Sequence, residues 1–69
     1  MNKYEIIIYW SNDDNAFIAE VPELPGCMAD GNSYNEVLKN IQIVMQEWID
    51  TARSLNRSVP EPKGRLKYA

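Results

Sequence analysis

The chain has 69 residues, a formal net charge of −3, no histidine and a single cysteine. A length of this order makes one domain, 1–69, with a core near the lower limit of what hydrophobic burial can hold together. These counts exclude an internal disulfide, a Cys/His zinc site and histidine-based catalysis, and with Gly26, Gly31 and Gly64 all isolated there is no phosphate-cradling loop.

The charge is unevenly placed. Residues 1–50 carry nine acids and two bases, whereas residues 51–69 carry one acid and five bases. An acidic body suits a cationic partner and repels nucleic acid. Arg53 and Arg57 are read as complementing a helix C-terminus, and the bases beyond them as keeping a chain end soluble. The longest apolar run near the start, residues 6–10, is too short for a signal peptide's apolar core or a membrane span. The expectation is a soluble cytoplasmic protein with no membrane association and no cofactor. Small domains without disulfides or metals recover stability by self-association, so a homo-oligomer, dimer or tetramer, is also expected.

Residues 3–10 form the strongest strand pattern, β-branched and aromatic with no breaker. Tyr4, Ile6, Ile8 and Trp10 share one face, while Ile7 and Tyr9 share the other with Lys3 and Glu5. Apolar residues on both faces predict a central strand, its second face covered by another subunit through Ile7 and Tyr9. Residues 11–15, Ser-Asn-Asp-Asp-Asn, are turn formers. Asp13 and Asp14 are read there as a solvated turn rather than a metal or acid–base pair. The turn leads to an antiparallel partner over 16–21, in which Phe17, Ala19 and Val21 alternate with Ile18 and Glu20.

The segment Val21-Pro22-Glu23-Leu24-Pro25-Gly26-Cys27 is the most distinctive. Two prolines three apart cannot donate to a ladder, so no central strand passes through it, and Pro-Gly marks a bend. Leu24 is read as a plug into either the core or an interface. Cys27, with no base or cationic neighbour in sequence, is read as a small buried apolar residue rather than a reactive thiol. A short strand over 27–30 follows, and Gly31-Asn32 delivers the chain to a helix.

That helix spans 33–55. Tyr34, Val37, Leu38, Ile41, Val44, Met45, Trp48, Ile49, Ala52 and Leu55 fall on one apolar stripe, and Ser33 with Glu36 makes a capping box. At 1.5 Å per residue it is roughly 34 Å long and must lie on a sheet to bury the stripe. Ile43 breaks the pattern, standing on the polar side among Glu36, Lys39, Glu47 and Asp50. It is read either as an isolated exposed residue or as the centre of a helix-to-helix contact between subunits. Asn56 is a left-handed C-cap, and Pro60 and Pro62 prevent continuation. Residues 65–69 are either a fourth strand on a sheet edge or a frayed end. The fold class is α+β: a three- or four-stranded antiparallel sheet, β-β-β-α with an optional last β, and one long amphipathic helix on one face.

Phe17, the run Pro22-Glu23-Leu24-Pro25-Gly26-Cys27, Gly31, the cap Ser33, the helix after it and Pro60-Glu61-Pro62 together resemble the HicB-like antitoxin family. The resemblance covers nearly the whole chain. It implies a partial ribonuclease-H-like fold without that enzyme's activity, and a function of binding and neutralising HicA, a small basic toxin that cleaves messenger RNA. Many members also carry a C-terminal DNA-binding segment. This chain ends at Ala69 without one, so direct DNA binding and autorepression are not expected.

On this reading the partner contacts are Glu20, Pro22, Glu23, Leu24, Pro25 and Asp30: the proline bend and nearby acids. A self-associating orphan domain with a structural or regulatory role is the alternative. A third reading, a metal-dependent hydrolase, would need Glu5, Glu20 and Asp30 to converge on metal ions. Nothing in the sequence requires that, and no catalysis is expected.

Overall fold

Three strands and one helix follow one another: β1 (Ile7–Ser11), β2 (Ala16–Glu20), β3 (Met28–Gly31) and α1 (Tyr34–Ser54). The computed structural model describes residues 3–62. The strands form an antiparallel meander in the order β1-β2-β3, so the architecture is α+β as expected. The proposed fourth strand over 65–69 lies outside the described residues.

The register fixes two faces. Trp10 pairs with Phe17, Ile8 with Ala19, Phe17 with Gly31 and Ala19 with Ala29, which sets these residues on the helix side of the sheet. Tyr9 pairs with Ile18, Ile7 with Glu20, Ile18 with Asp30 and Glu20 with Met28, which sets these on the outer side. The core joins Tyr4, Ala19, Val21, Leu24 and Cys27 to Val37, Ile41, Met45 and Ile49 of the helix. Fully burying a Leu, Ile or Val side chain contributes about 1.5–3 kcal/mol, and these few residues hold most of what stabilises so short a chain.

Two features of the sheet differ from expectation. The ladder of β1 begins at Ile7 rather than at residue 3, and β2, not β1, is the central strand among the described residues. Ile7 and Tyr9, expected to meet a second subunit, stand 37% and 40% exposed on the outer side of the single chain. The central position goes instead to the strand whose helix-side residue, Ala19, is small and fully buried. β3 is displaced by one residue, because Cys27 is still engaged in the preceding turn.

The helix is capped at both ends as its sequence dictates. Ser33 Oγ accepts from the Glu36 amide, and the Glu36 carboxylate accepts from the amide of Asn32. At the other end Asn56 adopts φ 56°. The Asn56 and Arg57 amides donate to the Arg53 and Ala52 carbonyls, a complete Schellman motif. The buried stripe is narrower than the apolar one: Val37, Ile41, Met45, Ile49 and Ala52 are inside, while Tyr34, Leu38 and Leu55 remain exposed. Tyr34 still contributes, because its ring lies 4.4 Å from that of Phe17. Gly31 lets the helix start close against β3, since a Cβ there would stand 2.7 Å from the Val37 nitrogen.

Candidate functional site

The proline segment is built from two successive turns. The Leu24 amide donates to the Val21 carbonyl and the Cys27 amide to the Leu24 carbonyl, while the Val21 amide closes the loop onto the Cys27 carbonyl. Each turn therefore carries proline at its second position, where φ near −65° is already set. Gly26, at φ 80°, supplies the positive φ that the third position of a type II turn requires. The turns drive Leu24 inward until none of its surface is exposed. Of the two roles open to it, the structure assigns the core, and Leu24 is withdrawn from the partner-contact set. Pro22 and Pro25 are exposed, and Glu23 is half-buried. The indole N–H of Trp48 in α1 donates to the Pro25 carbonyl, so the bend is held to the helix layer.

Glu20 and Asp30 lie elsewhere, on the outer side of the sheet. The six expected contact residues thus divide between two places rather than forming one patch. The outer side is the more coherent surface. Ile18 sits at its centre, only 8% exposed although no helix or strand among the described residues covers it, and is paired across the ladders with Tyr9 and Asp30. Ile7, Tyr9 and Met28 surround it and remain exposed. A shallow depression over this face is lined by Asp14, Ile18, Met28, Ala29 and Asp30.

Carboxylates rim this apolar centre. The Tyr9 hydroxyl donates to Glu20 Oε2 at 2.8 Å. That hydrogen bond holds the Tyr9 phenol above its usual range, with partial burial and the negative charges of Glu20 and Asp14 acting in the same direction. Asp14 in turn accepts from Ser11 Oγ. Of the expected oligomer contacts, Ile7 and Tyr9 belong to this face, while Ile43 lies on the helix, 55% exposed. Sequence reasoning missed Ile18, Met28 and Asp14. The alternation of β2 already set Ile18 beside Glu20, and that was the available signal.

Among the described residues no three Asp, Glu, Cys or His side chains come together in a way that could hold a metal ion, so Glu5, Glu20 and Asp30 do not form the set a hydrolase reading would need. Cys27 is buried, and burial pushes its thiol above the ordinary range, which fits an inert apolar role. No helix among the described residues is long and apolar enough to cross a membrane.

Comparison with known proteins gives one family. The family model described as UPF0150-like matches residues 3–60. A UPF0150 protein of Synechocystis is 39% identical over 63 residues, covering 91% of this chain and 85% of that protein. A UPF0150 protein of Thermoplasma acidophilum is 33% identical over 58 residues, covering 84% and 83% respectively. A second Synechocystis UPF0150 protein is 36% identical over 47 residues, covering 67% and 68%. No solved structure matches.

Proposed function

This chain belongs to the UPF0150-like family, and on that premise we propose that it is a HicB-like antitoxin: a non-catalytic module that binds and neutralises a small, basic, mRNA-cleaving toxin of the HicA type in the cytoplasm. The observation that carries the reading is the outer face of the sheet, an apolar centre at Ile18 rimmed by Asp14, Glu20 and Asp30. An apolar centre with a polar rim is the anatomy of a protein interface. The sign of the rim fits a partner that must itself be cationic to hold RNA, and would raise the association rate with it. The β-β-β-α order is read as a partial ribonuclease-H-like arrangement that presents a surface rather than a catalytic centre.

The test is capture of partners from native lysate at low salt, followed by purification of any small basic protein recovered. That protein should cleave messenger RNA, and an equimolar amount of this chain should stop it. The double variant Glu20→Lys, Asp30→Lys should keep its circular dichroism spectrum and lose the inhibition. Inhibition unchanged in the charge-reversed variant would move the interface off this face. Recovery of this chain alone would favour the orphan domain instead.

A further inference from the structure

We propose that the face of α1 centred on Ile43 is a two-fold, antiparallel helix–helix interface between two copies of this chain. Ile43 is 55% exposed on the side of the helix that is otherwise polar. One exposed isoleucine means little by itself. Here it is part of a surface: Ile43 and Val44 line a groove with Met28, Ala29 and Asp30 of β3 and with Asn40, whose side-chain amide ties the helix to the Asp30 carbonyl. Met28 is itself 49% exposed. The groove is therefore open, flanked by an edge strand, and mixed in lining, with Met28, Ala29, Ile43 and Val44 apolar and Asp30 and Asn40 polar.

The occupant is fixed by the charges on either side. Lys39 and Glu47 stand four residues before and four residues after Ile43, both exposed. Residues four apart form one ridge on a helix surface, so 39, 43 and 47 make a single ridge of the kind that packs against its like. When two copies of a helix pack antiparallel about a two-fold axis at residue 43, residue 43−k of one copy meets residue 43+k of the other. Lys39 of each copy then meets Glu47 of its partner, on both sides of an Ile43–Ile43 centre. The face is complementary to itself in sign as well as in shape. Glu36 and Asp50 lie about 10 Å along the helix from the crossing point, where helices crossing near −50° have diverged. Glu36 is in any case bonded to the Asn32 amide. Met28 and Asp30 border both this groove and the outer face of the sheet, but the Ile43–Ile43 centre and the Lys39–Glu47 pairs lie on the helix alone, so variants at 39, 43 and 47 test this interface separately from what the outer face binds.

Sedimentation equilibrium of the full chain tests it. The wild type should sediment as a dimer at micromolar concentration. Ile43→Glu should sediment as a monomer that keeps the wild-type circular dichroism spectrum and a cooperative melt, since the position is exposed and Glu is a good helix former, with a lower midpoint only by what dimerisation contributes. Lys39→Glu and Glu47→Lys change the net charge in opposite directions, yet each alone should weaken the dimer, by about tenfold for a close ion pair turned repulsive. The double variant Lys39→Glu, Glu47→Lys restores opposite charges across the axis and should recover wild-type association. A monomeric wild type, an Ile43→Glu dimer, or a double variant as weak as the singles would each overturn the proposal.

Discussion

The indole N–H of Trp48 donates to the carbonyl oxygen of Pro25 at 2.9 Å, so a helix residue 23 positions further along the chain holds the proline bend in place. Trp48 has two separable roles: its ring packs against the core, and its N–H satisfies a turn carbonyl. Trp48→Phe keeps most of the first and removes the second, and should lower the unfolding free energy by about 1 kcal/mol. Trp48→Ala removes both and should cost about 3 kcal/mol, the lower end of the range for a large aromatic because the ring is only half-buried. Urea titration followed by circular dichroism measures both. Equal losses for the two variants would mean that the hydrogen bond, not the packing, is what Trp48 supplies.

Leu24 separates the folding role of the proline segment from a binding role. With no exposed surface, it is among the largest fully buried side chains. Leu24→Ala should cost about 2–5 kcal/mol, a large part of the stability of a small domain. Leu24→Asp, which strands a carboxylate in the core, should leave no cooperative transition at all. A Leu24→Asp variant that melts like the wild type would place this side chain on the surface after all. The pattern Pro-acid-Leu-Pro-Gly-Cys is thus explained by folding: prolines that preset two turns, a glycine for the positive φ, and Leu24 and Cys27 facing inward.

What could be read in the sequence was whatever local chemistry decides. Ser33, Glu36 and Asn56 announced the helix ends because capping depends on a few neighbouring residues. The proline bend and the inert Cys27 were legible for the same reason. The order of strands was not, since β1 and β2 both carry apolar residues on their two faces, and the pattern alone does not say which of them lies at the centre. The expected contact set, chosen by proximity in sequence to the bend, mixed residues that β2 and β3 send to the outer side with residues that the turns hold against the helix.

Gly31 is a test of how closely α1 begins against β3. A Cβ at this position would lie 2.7 Å from the Val37 nitrogen and 2.9 Å from its Cα, both backbone atoms that cannot swing aside. Gly31→Ala should therefore displace the start of the helix and cost about 1–3 kcal/mol. Gly26→Ala is the contrasting case. Nothing lies within 4 Å of its Cβ, and only the φ of 80° opposes it, so the cost should be about 1 kcal/mol from left-handed strain alone. Thermal melts of the two variants distinguish the causes: an amide spectrum should show shifts spreading from residue 31 into the first turn of the helix in one, and shifts confined to the bend in the other.

Tyr4 links the start of the chain to the segment after the helix, its hydroxyl donating to the Pro60 carbonyl. Burial pushes its phenol above the ordinary value of 10.0; the charges of Glu23 and Glu61 act in the same direction, and Arg53 opposes them. The folded protein thus holds this proton more tightly than the unfolded chain does. The stabilisation is complete below the unfolded value and is lost as pH rises through the folded one. Wild-type stability should fall on going above about pH 10. Tyr4→Phe, which loses the bond to Pro60, should be less stable near neutrality by about 1 kcal/mol, yet should decline less over the alkaline range. Cys27 and Tyr9 are also raised in the folded state, but both variants carry them, so they cancel in the comparison. Urea midpoints taken for both proteins from neutrality into the alkaline range give the two curves. Convergence at high pH locates the alkaline loss in the Tyr4 phenol and so in the contact that closes residues 57–62 over the core, whereas parallel curves would remove that phenol from the linkage.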